Sequence, residues 1–484
     1  MKVFPCSVIR RAEQACFEAG ITTSAALMQY VIDEIWHALH NEPEFCCRRF
    51  TRVVVYAGKG NNAGDAIGLA AHFNCPVQLR AVCAPEEFSA ETQLQYAALM
   101  QRQQHVGEGE PHGCTLIIDG LLGSGVSGKL RPEYEQLVQE MNALRAATPH
   151  SLLLAIDIPT GLQADTGELL GSVVQADVTA VIGCVKPGML VAENFVGRLL
   201  CIPLPQVQLP QEPTAEVADA QLLSYLPRRP YGCYKNLAGR VNIIAGSLGY
   251  VGAAQMCAEA AVAAGAGLVA LYCYRDVYPI LAARVAPEVM VYPVDSYRDV
   301  PTEGMSALVM GPGLGRPPAK EIAVLRHLPH RVSVPVVMDA DALNLAAATA
   351  WNIAPHCILT PHPGEMRRLY PQASQLTRAE TVQRYVSENP CTLLLKGARS
   401  IISDGTRTVY NSTGGSYMAN GGQGDVLAGV IGALAAQGVP ALESAALGAY
   451  VCGLAAAYAQ AEAGYPPAIH ATQVIAHIQK AMRD

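Results

Sequence analysis

Short apolar runs separated by stretches of helical length recur along the whole chain. The runs are rich in valine, isoleucine and leucine, as is typical of strands buried on both faces of a parallel sheet. The stretches between them are long enough for crossover helices. The runs occupy residues 52–57, 115–119, 152–157, 178–182, 240–246, 307–311, 334–339, 357–360 and 391–396. The pattern predicts an α/β protein with doubly wound sheets, in which ligands bind beyond the carboxyl ends of the strands.

A proline-rich segment divides these runs into two groups. Residues 203–213 read PLPQVQLPQEP, a composition that sustains neither a helix nor a central strand. A chain of 484 residues is also too long for one ordinary hydrophobic core. We therefore expect two domains, one spanning residues 1–215 and the other spanning residues 216–484.

Composition and charge exclude several classes of protein. Hydrophobic residues make up 51% of the chain and charged residues 15%, which argues against disorder. The net charge of −7 disfavours a broad nucleic-acid or anionic-membrane surface. The longest uncharged stretch, residues 444–460, is too short and too rich in small residues for a membrane span, so it predicts a buried helix. We expect neither a nucleic-acid nor a membrane partner.

The fifteen cysteines are scattered and include no CxxC pair for zinc or redox exchange. The first residues lack the apolar run and cleavage site of a signal peptide. These features favour free thiols in a reducing compartment, and hence a cytoplasmic location.

A glycine-rich segment near the C-terminus, residues 418–429, reads MANGGQGDVLAG and delivers Asp425 to the start of an apolar helix. Gly421, Gly422 and Gly424 allow positive φ and let backbone N–H groups approach a phosphate, which the helix dipole also favours. We expect Asp425 to stay ionised there and to take a proton from an attacking hydroxyl. The alternative is that Asp425 only caps the helix.

Polar clusters follow other runs of the second half. GPGLG at 311–315 suits close backbone approach to a ligand, and DADALN at 339–344 offers carboxylates for Mg²⁺. TPHPGE at 360–365 holds His362 between two prolines, and KGARS at 396–400 suits nucleotide phosphates. Taken singly, each cluster could instead be an ordinary turn or a structural hydrogen-bonding site.

The order of these five motifs resembles the ADP- or ATP-dependent NAD(P)H-hydrate dehydratase family, a branch of the ribokinase-like fold, from about Tyr231 to the C-terminus. The resemblance implies that Asp425 deprotonates the C6 hydroxyl of a hydrated nicotinamide, that ADP phosphorylates it, and that phosphate then leaves. It implies Mg²⁺ in this domain and ADP as co-substrate. The implied nucleotide-binding residues are Lys396, Gly397, Ala398, Arg399, Ser400 and Gly424, and the implied substrate-binding residues are Ala253, Gly313, His362 and Asp425.

Three strand-end motifs mark the first half. GKGNNAGD at 58–65 precedes a helix, DGLLGSGVSGK covers residues 119–129, and DIPTG covers residues 157–161. Carboxylate, amide and hydroxyl oxygens from three strand ends suit a hard cation such as Na⁺, K⁺ or Mg²⁺. The alternative is that the aspartates simply end strands.

Together with Lys186-Pro-Gly188, these motifs resemble the NAD(P)HX epimerase domain over residues 5 to 205, which implies a Rossmann-like fold. The resemblance implies that Asp157 acts in interconverting the R and S hydrates. It implies K⁺ bound by Asn62, Asp119 and Thr160. The implied substrate-binding residues are Asn61, Asn62, Ala63, Gly64, Asp65, Gly123, Ser124, Gly125, Val126, Ser127, Gly128, Lys129 and Asp157.

The first half departs from the epimerase pattern in two motifs: residues 27–32 read LMQYVI where the family usually has Leu-Met-Glu-x-Ala-Gly, and residues 61–66 read NNAGDA. Ala63 and Ala66 stand where the family usually has glycine, and we expect their methyl groups to crowd a backbone that needs positive φ or close ligand approach. Epimerase activity is then expected to be reduced. Two alternatives remain open: a ribokinase-like kinase for a small alcohol, or a dehydratase fused to a non-catalytic binding module. The expected partners are NAD(P)HX and ADP, and a homo-oligomer is expected.

Overall fold

The computed structural model describes residues 1–40, 45, 48–103, 114–126, 128–148 and 150–483. The chain forms two compact units, residues 1–215 and residues 216–484. Between residues 203 and 214 there is neither a helix nor a strand. Leu204 and Val207 of this segment are nevertheless buried in the core of the first unit, so the proline-rich stretch is fixed by packing along part of its length.

The first unit contains a six-stranded parallel sheet with the order β3-β2-β4-β5-β6-β7. The strands are β2 Phe50–Ala57, β3 Val77–Ala81, β4 Cys114–Gly120, β5 Leu152–Ile156, β6 Val178–Ile182 and β7 Arg198–Ile202, and a short strand β1, Lys2–Val3, precedes them. The described helices are α1 Cys6–Glu18, α2 Ser24–His40, α3 Asn61–Ala70, α4 Ala90–Gln103, α5 Pro132–Ala147, α6 Pro187–Val191 and α7 Glu193–Val196. The chain leaves β2 toward β3 on one side and returns to β4 on the other. This reversal opens a crevice at the carboxyl ends of β2 and β4.

The structure corrects the expectation for the two alanines that replace glycine. Ala63 and Ala66 lie in the regular helix α3, and neither has a positive φ. Both side chains are fully buried. The Ala66 methyl group packs on β4, since a Cβ placed at Gly120 would lie only 2.4 Å from it. The methyl groups therefore fill space inside the fold and stabilise a helix that glycine would weaken.

The second unit contains a larger sheet with the order β8-β17-β16-β15-β14-β13-β12-β9-β10-β11. The strands are β8 Ala215–Val217, β9 Arg240–Ile244, β10 Leu268–Tyr274, β11 Val289–Val294, β12 Ala307–Met310, β13 Val336–Met338, β14 Cys357–Leu359, β15 Thr392–Leu395, β16 Ser400–Ser403 and β17 Thr408–Asn411. Strands β9 to β15 pair in parallel, while β16 is antiparallel to both β15 and β17. The chain reverses direction between β9 and β12, which again opens a crevice at the carboxyl ends. The α/β, doubly wound fold predicted from the sequence is confirmed in both units.

The helices of the second unit cover both faces of this sheet. They are α8 Val251–Ala263, α9 Tyr278–Ala282, α10 Ala319–Arg331, α11 Asp341–Ala348, α12 Pro363–Leu369, α13 Arg378–Glu388, α14 Gln423–Ala436, α15 Ala441–Glu462 and α16 Ala471–Ala481. Helix α14 is buried from Val426 to Ala436, because its small apolar residues allow close packing. A Cβ at Gly429 would lie 2.1 Å from the Cys257 carbonyl oxygen, so α14 and α8 cross with their backbones in near contact.

Helix α15 contains the stretch predicted to form a buried helix. It is the one helix of the described residues that is long and apolar enough to cross a membrane by length and composition. Within the fold, 72% of its most apolar window is buried, which is the behaviour of a core helix.

Candidate functional site

In the second unit, the glycine-rich segment forms the entry to α14. Gly422 adopts φ 93° at the N-cap, a conformation that glycine reaches without strain. Gly424 and Asp425 follow in the first helical turn. No side chain caps this helix, so the alternative that Asp425 serves as the cap is wrong. The Asp425 carboxyl is therefore left for another partner.

Three strand ends bring charged side chains to the start of α14. Lys396, which follows β15, donates a 2.7 Å hydrogen bond to Asp339 at the end of β13. The Glu365 carboxylate lies 4.0 Å from the same ammonium. A Cβ at Gly424 would lie 3.2 Å from Lys396 Nζ and 3.5 Å from Asp339 Oδ2, which places the glycine loop beside this pair. The sheet thus gathers one cation and several carboxylates at the N-terminus of one helix.

This environment changes the protonation of Asp425. Burial, followed by the negative charge of Asp339, raises the pKa of its carboxyl to about 7, although Lys396 acts in the opposite direction. The expectation that Asp425 stays fully ionised is therefore wrong. It rested on the helix dipole alone, which burial among carboxylates outweighs. A carboxyl that is half ionised near neutral pH is suited to accepting a proton during a reaction.

His362 forms the N-cap of α12. Its Nδ1 accepts hydrogen bonds from the backbone N–H groups of Gly364 (2.9 Å) and Glu365 (3.4 Å), and Glu365 in return accepts the His362 N–H at 2.8 Å. The ring is half exposed, and its Nε2 lies 3.5 Å from Glu365 Oε1. Because Glu365 also faces Lys396, the fixed histidine loop positions a carboxylate beside the ammonium.

A cavity of about 470 Å³ opens next to Lys396 and Gly424. Five of the six residues predicted to bind nucleotide line it: Lys396, Gly397, Ala398, Ser400 and Gly424. The sixth, Arg399, is buried, and its carbonyl oxygen accepts a 2.6 Å hydrogen bond from Arg378. Residues for which no nucleotide contact was predicted complete the wall; they are Asn411, Thr413, Gly415, Ser416, Met418, Ala419, Gln423, Leu427, Ala449, Cys452 and Gly453.

Two of the predicted substrate-binding residues also meet at this end of the sheet. A Cβ at Gly313 would lie 3.0 Å from Ala253 Cβ, so the GPGLG loop contacts the first turn of α8. Met256, one turn further along α8, lies against Gly422 of the glycine-rich segment. The structure therefore places Ala253 and Gly313 on the α8 side of the segment that carries Asp425.

In the first unit, a cavity of about 280 Å³ lies at the carboxyl edge of the sheet. Predicted residues line it: Asn61, Asn62, Asp65, Gly123, Ser124 and Asp157. Ala63 and Gly64 are buried in α3 and do not line this cavity, nor do Gly125, Val126, Gly128 and Lys129. Ser127 lies outside the described residues. Glu13, Met28 and Lys186 also line the cavity, and no role there was predicted for them.

Asp157 is held in an uncommon conformation beside a buried lysine. Its φ is 65°, which is rare for residues other than glycine, asparagine and aspartate. Lys186 Nζ donates a hydrogen bond to Asp157 Oδ1, and the Ser124 N–H donates to Oδ2 at 3.1 Å. Burial alone would raise the pKa of this carboxyl, but Lys186 and Ser124 outweigh it and hold the pKa below its usual value. Asp157 is therefore an anion at neutral pH.

The other carboxyls of this cavity have the opposite tendency. Asp65 is buried, and burial together with the charges of Asp157 and Glu13 raises its pKa well above the usual value. Burial and the charge of Asp157 also raise the pKa of Glu13. One cavity thus contains a carboxylate paired with lysine and a carboxyl that favours its neutral form.

The residues predicted to bind K⁺ are close together at the end of β4. Asp119 is fully buried, and its two oxygens accept hydrogen bonds from the Thr160 hydroxyl and the Thr160 N–H, each at 2.8 Å. The Thr160 hydroxyl also lies 3.5 Å from the Leu122 carbonyl oxygen. The buried Asn62 amide nitrogen has no hydrogen-bond partner in the described part of the chain. Carboxylate, hydroxyl, amide and carbonyl oxygens are ligands that a hard monovalent cation takes, so these side chains are compatible with the predicted K⁺, with Asn62 contributing its oxygen and not its nitrogen.

Comparison with known proteins identifies both units. A family model described as NAD(P)H-hydrate dehydratase matches residues 241–480, and one described as YjeF-related protein N-terminus matches residues 24–188. The chain is 35% identical to a bifunctional NAD(P)H-hydrate repair enzyme of Moorella thermoacetica, over 84% of this chain and 82% of the relative. It is 30% identical to the corresponding enzyme of Coxiella burnetii over 97% of both chains.

The chain belongs to the family of bifunctional NAD(P)H-hydrate repair enzymes. The resemblances found in the sequence motifs are thereby confirmed for both halves. Among solved structures, a ribokinase-like superfamily protein of Enterococcus faecalis is similar, with a TM-score of 0.51 and 27% identity. The similarity covers 57% of this chain and 98% of that protein. It supports the ribokinase-like fold of the second unit.

Proposed function

We propose that the second unit converts S-NAD(P)HX to NAD(P)H while splitting ADP into AMP and phosphate. The observation that carries this proposal is the position of Asp425, with a pKa of about 7, beside a cavity lined by Lys396 and Gly424. A base, a phosphate-binding cation and an open helix N-terminus are the parts that phosphoryl transfer to a hydroxyl needs.

In this reaction Asp425 takes the proton of the C6 hydroxyl, and the hydroxyl oxygen attacks the β-phosphorus of ADP as the bond to AMP breaks. The C6–O bond of the phosphorylated hydrate then breaks, because the lone pair of the ring nitrogen assists departure of phosphate. Loss of a proton from C5 completes the dihydronicotinamide ring. Lys396 and the free N–H groups of α14 stabilise the transferring phosphoryl group.

The residues present are compatible with Mg²⁺ only as a partner of the bound nucleotide. The described residues contain no group of three His, Cys, Asp or Glu side chains that could hold a metal ion alone. Asp339 and Glu365 would contribute carboxylate oxygens beside the phosphates, which themselves supply most ligands of nucleotide-bound Mg²⁺. The ion would neutralise charge that develops on the phosphoryl oxygens.

The test is incubation of the protein with S-hydrate and ADP while NADH absorbance is followed. Formation of NADH with equal amounts of AMP and phosphate supports the proposal. The Asp425→Asn variant should form no NADH. A stable phosphorylated product without NADH would instead support the alternative, a small-alcohol kinase. Parallel reactions with ATP and with both hydrates determine the preferred substrates.

We also propose that the first unit epimerises R- and S-NAD(P)HX in a K⁺-assisted site. The cavity with Asp157, Ser124 and Lys186 supports this assignment. Asp119, Thr160 and Asn62 would hold K⁺ and fix the loop after β4, which contains Gly123 and Ser124. In an R and S mixture with ADP, the S form should disappear quickly and the R form at a slower rate set by epimerisation.

Asp157→Asn should remove only the slow phase, and replacing K⁺ by a bulky organic cation should slow it. An R form that persists at its spontaneous rate in the parent protein would favour the alternative, a non-catalytic binding module. A homo-oligomeric assembly and a cytoplasmic location remain predictions.

A further inference from the structure

The cavity of the first unit contains two aspartates with opposite electrostatic surroundings. Asp157 is paired with Lys186, which is itself 1% exposed and also donates a 3.0 Å hydrogen bond to the Ile182 carbonyl oxygen. Lys186 is therefore held on one side of the carboxylate and occupies Oδ1. The second oxygen, Oδ2, faces the Ser124 N–H and the cavity.

Asp65 lacks such a cation. It is located in the second turn of α3, is 7% exposed and lines the same cavity. Its carboxyl makes no hydrogen bond with any described residue, so it is open to a ligand in the cavity. The charged groups that act on it, Asp157 and Glu13, are both acidic and favour its neutral form.

Inversion at C6 of a hydrated nicotinamide needs a protonated carboxyl that acts as an acid and an ionised carboxyl that acts as a base. The C6–O bond breaks when the ring nitrogen donates its lone pair, and the departing hydroxide must receive a proton. A water molecule then adds to C6 on the other face, and that water must lose a proton. One acid and one base therefore suffice, and no oxidant or reductant is consumed.

We propose that Asp65 is the acid of this reaction and that Asp157, positioned by Lys186, is the base. Asp65 protonates the departing hydroxyl, and Asp157 accepts a proton from the incoming water. The proton then returns from Asp157 to Asp65 through water in the cavity, because Lys186 favours the ionised form of Asp157. This inference rests on the proposed epimerase function of the first unit and assigns the roles within it. Lys186 is a positioning residue, whereas Asp65 and Asp157 contact the reacting atoms.

The charges around the two aspartates determine how the slow phase should depend on pH. Arg10 and Glu13 face the cavity from α1, and the Cys6 and Cys184 thiols lie near Lys186. The rate should rise as Asp157 ionises and fall at higher pH as Asp65 loses its proton. The profile is therefore expected to be bell-shaped.

The experiment measures the slow phase in the full chain with purified R-hydrate, ADP and K⁺ across pH 5 to 10, and the fast phase with S-hydrate serves as an internal control. Asp65→Asn should lower the rate of the slow phase by about 10²- to 10⁴-fold, the usual contribution of a general acid. It should also remove the fall in rate at alkaline pH. Asp65→Glu should retain part of the rate. Lys186→Met should shift the acidic limb to higher pH, and Lys186→Arg should restore it. Glu86→Gln, at an exposed site outside the cavity, is the matched control.

Each outcome bears on the assignment. A parent-like rate with an alkaline limb in Asp65→Asn overturns the role of Asp65, and an unmoved acidic limb in Lys186→Met overturns the role of Lys186. Absence of any slow phase in the parent protein overturns the epimerase function and this inference together. Folding of the first unit is followed by Trp36 fluorescence in a Trp351→Phe background, so a misfolded variant is recognised directly. If Asp65→Asn misfolds, the rate and pH profile of Asp65→Glu test the role of Asp65 instead.

Discussion

Replacing Asp425 with asparagine should stabilise the second unit while it abolishes the reaction. The folded state raises the pKa of this carboxyl from 3.8 to about 7, whereas the unfolded chain keeps the ordinary value. The folded protein therefore binds the proton more tightly, and it loses stability as pH rises from about 4 to about 7. Above pH 7 the loss is complete, because the carboxylate is then ionised in both states.

The size of the expected change in stability follows from the pKa shift of Asp425. Three pKa units correspond to about 4 kcal/mol, and screening by water at the open edge of the site reduces this to roughly 2–3 kcal/mol. Asparagine keeps the shape of the side chain and carries no charge. At pH 8 the variant should unfold roughly 5–10 °C higher than the parent, and more than half of this gain should disappear at pH 5.

The chain allows a clean assay because it contains two tryptophans, Trp36 in the first unit and the buried Trp351 in the second. A Trp36→Phe background leaves Trp351 as the fluorescence reporter of the second unit. Glu303→Gln, at an exposed position of the same unit, is the control and should change neither stability nor rate. Equal unfolding temperatures for Asp425→Asn and its parent at pH 8 would refute the reasoning, because they would show that the Asp425 charge does not destabilise the folded second unit.

Three further substitutions test the geometry. Gly424→Val should weaken nucleotide affinity by at least tenfold in a binding titration, since its side chain would meet Lys396 Nζ, which lies 3.2 Å from the Cβ position; unchanged affinity would contradict the loop assignment. Ala66→Gly should lower the stability of the first unit by about 1 kcal/mol or more in denaturant unfolding and should not speed the slow phase, because glycine weakens a helix interior; a faster slow phase would restore the view that the methyl group obstructs the site. Gly64→Ala should destabilise the first unit, because its Cβ would lie 2.8 Å from Oγ1 of the buried Thr92 as well as against the end of the Met28 side chain; parent-like unfolding would contradict this close packing.

The sequence predicted nine of the strands in the parallel parts of the two sheets, because fully buried strands leave continuous apolar runs. Every predicted run coincides with a strand to within a few residues, and the clusters that follow Met338 and Leu395 meet through Asp339 and Lys396. The parallel strands β3, β7, β10 and β11 were missed, and so was the antiparallel pair β16 and β17. Its strands have four residues each, and such short segments carry little period-2 signal.

What the sequence could not supply was the environment of each charge. The pairing of Lys186 with Asp157 joins residues 29 positions apart, and nothing in either local motif indicates it. The same holds for Asp425, whose ionisation was inferred from one helix end but depends on Asp339 from another strand. The two alanines were misinterpreted for a related reason, since the need for glycine depends on φ, and φ at Ala63 and Ala66 is helical.

The left-handed backbone of Asp157 has a practical consequence for mutagenesis. At φ 65° an alanine would be strained, whereas asparagine adopts this region with little cost. An alanine scan would therefore combine two defects at this position, loss of the carboxylate and distortion of the turn after β5. The two could not be separated by activity alone. Asparagine isolates the charge, and glycine isolates the side chain without the strain, so that pair of variants gives an interpretable measurement where alanine does not.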